Sequence, residues 1–442
     1  MDDPGGVTSH VLYRAGPGGR VRAARAAGAS IYDVEGRRYL DGSSGPLASN
    51  LGHSLPEIVA AIAEQLGRMT FAHGSTFSSD AQERAADLVV RFAPPGFTRV
   101  FFVSGGSEAT ETAIKLARQY WVDAGHPRKY KIISKRASYH GATLGALSAS
   151  GFAARRAPYD PLLLPFPQIP EVHCRRCPFG FTYGRCQIDC ATALDDTIRR
   201  EGADTVAAFI AEPVSGAANG AVVPPPEYFP LIRQICDRHN VLFIADEVMT
   251  GFGRTGANFA LDHWHVIPDL IVCAKGLGAG YVPVGAVIAH ERISEQIFRT
   301  SGRFVHGYTY AGNPLACATA VAVLTYIETH DLVAAARRKG EILRHELEPL
   351  SPLRGVVEIR GLGLMWGVEF AVPPDHPAAS APGKAVVAAA FRNGLLVYPS
   401  GGALPGSTVN QILVGPPLTV TPSEITELGA LLRQSVEQAL AR

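Results

Sequence analysis

Lysine is scarce in this 442-residue sequence: only Lys115, Lys129, Lys131, Lys135, Lys275, Lys339 and Lys384 stand among its 41 basic residues. Each can therefore be judged by its surroundings. Net charge is nearly absent, since 41 basic against 40 acidic residues leave +1. That excludes a global field that would draw nucleic acid or an acidic membrane surface. No apolar run approaches the roughly 18 residues of a membrane helix. Met1-Asp2-Asp3 opens the chain without the basic and apolar stretches of a secretory signal, so the expected location is cytoplasmic. Seven cysteines, an odd number, are too few for a disulfide scaffold. What remains is 47% hydrophobic and 18% charged, enough for a large core. At about 100–200 residues per domain, the length fits two or three domains.

The pattern along the chain is α/β. Ile31–Leu40 reads as two short strands around Glu35-Gly36, and Leu55–Met69 as a helix with Ile58, Ile62 and Leu66 on one face. Strand-length apolar runs follow at Val100–Val103, Ile132–Ile133, Val206–Ala211, Val241–Ala245, Leu270–Ala274 and Val284–Ala289. They are near-continuous rather than alternating, as expected of strands buried on both faces. Helical patterns lie between them, at Ala109–Trp121 and Tyr228–His239, and the alternation predicts a mostly parallel sheet covered by helices on both sides. Cys317–Thr329 reads as a long helix leaving that sheet, and Pro/Gly-rich breaks fall at Pro373–Pro382 and Pro399–Pro405. The expected organisation is an N-terminal segment of a small domain (1–75), a large domain (76–330) and a C-terminal small domain (331–442).

Six of the lysines read as polar or helical surface positions. Lys275 does not, because it follows Leu270-Ile271-Val272-Cys273-Ala274 and precedes Gly276-Leu277-Gly278-Ala279-Gly280. Burial there favours a neutral amine, the form that condenses with an aldehyde. The alternative is a lysine that ends a strand in solvent. Three features bear on the choice. Asp246 ends the run Val241–Ala245, where its carboxylate could pair with a pyridine nitrogen or cap the next helix. Ser104-Gly105-Gly106-Ser107 lies between a strand and a helix, as a phosphate cradle or a simple turn. Tyr139-His140-Gly141 follows Ile132–Ile133, its ring free to stack on a flat heterocycle or to sit on a surface loop.

Together these pieces resemble the class III aminotransferases, a branch of the fold-type-I, pyridoxal 5′-phosphate (PLP)-dependent transferases. The match runs over nearly the whole chain. It takes in Asn50-Leu51-Gly52-His53, Ser104 to Arg118, Tyr139-His140-Gly141, Ala211-Glu212-Pro213-Val214 and Ala245-Asp246-Glu247-Val248. It continues through Gly251-Phe252-Gly253-Arg254-Thr255-Gly256, Ala274-Lys275-Gly276-Leu277 and Thr309 to Pro314. The resemblance implies a mostly parallel seven-stranded sheet with helices on both faces, plus a small α/β domain built from both termini. It implies PLP as cofactor, joined to Lys275 as an aldimine. Lys275, Asp246 and Glu212 are then catalytic. Asp246 meets the ring nitrogen, Glu212 lies near the ring hydroxyl, and Ser104, Gly106 and Ser107 meet the phosphate. Tyr139 and Val248 flank the ring, and His140 stands beside it. Thr309, with Ser75-Thr76-Phe77, reaches a neighbouring subunit's site, which implies a homodimer or a tetramer with shared sites. The implied reaction moves an amino group from an amine or amino acid to a keto acid or aldehyde. Racemases or epimerases, aminomutases and decarboxylases of the same fold are the alternatives.

Two departures stand out. No arginine occurs from Tyr398 to Leu418, although many relatives place one just before the Pro-Pro-Leu turn (Pro416-Pro417-Leu418) to hold an α-carboxylate. The expected donor is therefore an amine lacking a conventionally bound α-carboxylate. The second departure is an insert with Cys174, Cys177, Cys186 and Cys190. Its C-x₂-C and C-x₃-C pairs suit zinc, free thiols or local disulfides, and no metal ligand is assigned.

Overall fold

A computed structural model of the chain describes residues 10–13, 20–372 and 381–440. Three sheets organise it. The N-terminal strands are β1 (Ala23–Ala27), β2 (Ser30–Asp33) and β3 (Arg38–Asp41). The central strands are β4 (Phe97–Val103), β5 (Lys131–Lys135), β6 (Gln168–Ile169), β7 (Val206–Ala211), β8 (Leu242–Asp246), β9 (Leu270–Cys273) and β10 (Gly285–His290). The C-terminal strands are β11 (Val356–Leu362), β12 (Met365–Phe370), β13 (Leu395–Leu396), β14 (Tyr398–Ser400) and β15 (Gln411–Val414).

The central sheet has the order β4-β10-β9-β8-β7-β5-β6. Only β10 runs antiparallel to its neighbours, so the expected mostly parallel seven-stranded sheet is present. The near-continuous apolar runs are explained by two separate cores. In β8, Leu242 and Ile244 point into one core, Phe243 and Ala245 into the other. In β9, Leu270 and Val272 oppose Ile271 and Cys273 in the same way. Side chains alternate across a strand, so a strand covered on both faces needs apolar residues at every position. Helix Gly106–Asp123 covers one face through Ala109, Ala113 and Ala117; helix Tyr228–Arg238 covers the other through Phe229, Ile232 and Ile235.

The two ends of the chain share a sheet, because β13 pairs in parallel with β3. The remaining C-terminal strands form an antiparallel sheet, β11-β12-β15-β14. The expected helix near Cys317–Thr329 is Pro314–Thr329, capped by Asn313 Oδ1, which accepts from Ala316 N at 3.1 Å. Asn at the cap and Pro at the first helical position both favour a start there. The break around Pro373–Pro382 lies almost wholly outside the described residues. Arg254 explains why distant motifs recur together. Its guanidinium, fully buried, donates to Asn50 Oδ1 (2.6 Å), Leu364 O (3.1 Å) and Pro416 O (2.5 Å). It therefore clamps three separate segments, and burial pushes its pKa down to about 9.

The structure corrects one expectation about the lysines. Lys129 and Lys135 are buried, not surface residues. Lys129 Nζ donates to the carbonyls of Ala203, Val206 and Asn240, at 2.7, 3.1 and 2.8 Å, and burial lowers its pKa to about 8. Lys135 Nζ donates to Glu212 O at 3.1 Å. Lys135 ends a short strand and Lys129 lies two residues before it, and nothing local marks either as buried. The acceptors come from segments more than 70 residues away.

Candidate active site

Parallel strands in an open sheet bring their carboxyl ends to one edge, where ligands bind. That edge is crowded with chemistry. Ser104–Ser107 follows β4, Tyr139 and His140 follow β5, Glu212 follows β7, Asp246 ends β8, and Lys275 stands two residues after the end of β9. They surround a cavity of about 300 Å³. Of the expected site residues, Ser104, Gly106, Ser107, Tyr139, His140, Glu212, Asp246, Val248 and Lys275 line it, and Thr309 does not. Thr309 is exposed elsewhere on this chain. A larger cleft, about 670 Å³, lies between helices Pro56–Arg68, Asp80–Phe92 and Pro314–Thr329. No central-strand end opens into it, so the chemistry belongs to the smaller cavity.

Among the described residues lining the cavity, Lys275 is the sole lysine or arginine. Its backbone has φ +38°, a left-handed conformation that costs a non-glycine residue about 1–3 kcal/mol. Its carbonyl accepts from Gly278 N and Ala279 N, which fixes the turn. Burial lowers its amine to about 8, although Asp246 and Glu212 pull the other way. Asp246 is held on both oxygens. His140 Nδ1 donates to Oδ2 at 2.7 Å, and Val248 N donates to Oδ1 at 3.1 Å. The other ring nitrogen of His140, Nε2, is buried and has no partner among the described residues. Glu212 accepts from Gly216 N (3.1 Å) and Tyr139 N (3.3 Å). Burial raises its carboxyl above the usual range, helped by Asp246 and opposed by His140 and Lys135.

The Gly-Gly turn opens helix Gly106–Asp123, whose first N–H groups have no intrahelical partner. A Cβ on Gly106 would stand 3.0 Å from Val248 Cγ1, so glycine keeps this wall of the cavity open. Ser107 Oγ accepts from Ala142 N at 3.0 Å. Gly141 (φ +143°) passes so close to Ser107 that a Cβ would clash with it. A helix N-terminus with such an approach suits an anion. An aromatic ring, a buried carboxylate and a partly neutral lysine on the other walls suit a flat, aldehyde-bearing pyridine. Sequence reasoning did not find Ala48, Met249, Gly280 or Pro283 in the lining. They carry no chemical signal and enter only through the fold. It also did not find Arg155, whose guanidinium lies 4.2 Å from the centre of the Tyr139 ring.

These features define a PLP-dependent transferase. The chain belongs to the class III aminotransferases and is a PLP-dependent transaminase: residues 15–436 match the family described as Aminotransferase class-III. It is 39% identical over 416 residues to the uncharacterized aminotransferase YodT of Bacillus subtilis, covering 93% of this chain and 94% of that one. It is 36% identical over 418 residues to the mitochondrial gamma-aminobutyrate transaminase 1 of Oryza sativa subsp. japonica, covering 91% and 78%. Among solved structures it is similar to a PLP-bound amine transaminase from an uncultivated Pseudomonas species, with TM-score 0.91, 36% identity and 99% of each chain covered.

Proposed function

We propose that the cavity at the strand ends uses PLP to transfer the amino group of an amine without a clamped α-carboxylate to a keto acid. The observation that carries this is the convergence of five strand ends on Lys275. Bound PLP supplies an electron sink that weakens the bonds at the amine-bearing carbon. The chain does the rest. The backbone N–H groups of Gly106 and Ser107, with Ser104 beside them, would hold the phosphate. Tyr139 and Val248 would confine the ring between them. Asp246, oriented by His140, would keep a proton on the ring nitrogen. Glu212 would orient the hydroxyl side. Lys275 would carry the cofactor between turnovers and move the proton at the substrate carbon through Nζ.

The substrate reading rests on two arginines. Arg360 on β11 is already engaged. It binds Glu358 (2.6 Å), Glu369 (2.7 Å), Gly220 O (2.9 Å) and Asn219 O (3.1 Å). On β15 the positions before Pro416 are buried Gln411, Ile412, Leu413 and Val414. Arg155 is free. Its guanidinium packs on Tyr139 and on Phe152 (4.5 Å) but makes no ion pair or hydrogen bond among the described residues. Its neighbour Arg156 is consumed by the carbonyls of Leu147, Ser148 and Ser150. Arg155 would therefore receive the carboxylate of the keto acid. Arg155→Ala is expected to raise KM for the keto acid roughly 10- to 100-fold, as loss of a charged hydrogen bond does, and to leave the donor half-reaction within about twofold. Steady-state kinetics with both substrates varied check it.

We further propose a homodimer. Thr309 and Ser75–Phe77 are exposed, as are Phe71, Val305 and Tyr310 near them in the sequence, and Phe71 and Tyr310 meet edge to face at 6.1 Å. Such a patch suits an interface, with the partner's Thr309 reaching the phosphate. Light scattering should give twice the chain mass, and Thr309→Ala should weaken PLP binding about tenfold.

The overall reading is tested by a donor–acceptor screen on purified holoenzyme. Absorbance of bound PLP should change with an ω-amine and recover with a keto acid. Activity with α-carboxylate donors alone, and none with simple amines, would overturn the donor class.

A further inference from the structure

The four-cysteine insert has an unusual interior. Between β6, which ends at Ile169, and the helix Asp189–Glu201, the chain makes no helix or strand. A segment of this length normally folds around apolar side chains or is stapled. Here the aromatic residues Phe179, Phe181 and Tyr183 are exposed. Cys174, Cys177, Cys186 and Cys190 line one cavity of about 20 Å³, together with the buried His173 and with Phe181, Tyr183 and Ile188; Cys174 is exposed and the other three cysteines are half-buried. Space of that size holds a single water-sized sphere. All four thiols are free of disulfides.

We propose that Cys174, Cys177, Cys186 and Cys190 bind one zinc ion in this cavity. Four sulfurs from two close pairs are the ligand set of a closed structural zinc site. In the structure the sulfurs stand wider than in a filled site. Among the described residues, the group of three ligand atoms within 4.8 Å of one another is His173, Glu358 and Glu369, not a set of sulfurs. In a tetrahedral zinc–thiolate site the sulfurs lie about 3.8 Å apart, from a Zn–S distance of about 2.3 Å. Zinc therefore draws the two Cys pairs inward as the thiols lose their protons: Zn²⁺ and four S–H groups give a zinc tetrathiolate of charge 2− and four released protons.

The group of His173, Glu358 and Glu369 beside it is not the cation site. Glu369 is already paired with Arg176 (2.9 Å) and Arg360 (2.7 Å), and Glu358 with Arg360 (2.6 Å). The same pairs show what the zinc site would hold in place. Arg176, between Cys174 and Cys177, anchors the insert to β12, while Tyr183 OH donates to Glu227 at 3.0 Å. The insert is thereby tied to β12 and to Glu227, just before helix Tyr228–Arg238.

The test is elemental analysis of holoenzyme purified under reducing conditions, with Cys177→Ser/Cys186→Ser as the variant and Cys317→Ala as a control outside the cluster. About one zinc per chain is expected in the wild type and control, and less than about a tenth of that in the double variant. Should the variant fail to fold, cobalt replaces it: wild-type protein stripped of metal and titrated with Co²⁺ should develop thiolate–cobalt bands at wavelengths clear of the cofactor, saturating at one equivalent. Equal zinc in wild type and double variant overturns the proposal. So does reduced wild-type protein that takes up neither metal, or a mass that shows two disulfides in freshly purified chain.

Discussion

Replacing Lys275 by alanine is expected to lower kcat by about 10⁴, the upper end for loss of a positioned proton-transfer group. No other residue can substitute. Lys275 is the cavity's only lysine, and the nearest buried alternative, Lys135, is committed to the Glu212 carbonyl. The pH behaviour follows from the same amine. At a pKa of about 8, roughly one-tenth is neutral at pH 7, against about one part in three thousand at the ordinary 10.5. The neutral form is the nucleophile, so loading of PLP into stripped protein should speed up with pH and level off above about 8. A rate that is flat from pH 6 to 10, or that levels only near 10.5, contradicts the lowered amine. Full turnover by Lys275→Ala contradicts the site itself.

Asp246→Asn should lower kcat by about 10²–10³, the usual cost of losing one preorganised electrostatic contact, with little change in Tm. The amide oxygen can still accept from Val248 N, as Oδ1 does now. What is lost is the negative charge that would hold a proton on the ring nitrogen. The amide also offers N–H to His140 Nδ1 in place of a carboxylate oxygen, which reverses the direction of that hydrogen bond. The kinetic loss and the retained Tm together separate a role in chemistry from one in folding. Equal losses in both would assign Asp246 to the fold.

How much of this was readable beforehand depended on the range of the physics involved. The strands β7, β8 and β9 were legible because burial on two faces imposes apolar residues at every position. Lys275 and Asp246 were legible because each breaks or ends such a run, and Ser104–Ser107 because glycines at a strand-to-helix turn carry a local conformational meaning. Lys129 and Lys135 were misread as surface residues because their carbonyl acceptors lie far along the chain. Arg155 was missed for a similar reason: its place over Tyr139 depends on helix Ala153–Arg156 packing beside that loop, where Ala153 N donates to Ala403 O.

Sequence alone determined the family, the two-faced sheet and the identity of the chemical groups, since these are written in local pattern and ordered motifs. Tertiary structure decided which of those groups meet. It gathered five strand ends around one cavity, engaged Arg360, and left Arg155 unpaired. It also kept Thr309 out of its own site. Those outcomes are distances between residues tens to hundreds of positions apart, fixed by how helices and strands pack, and no local pattern encodes them.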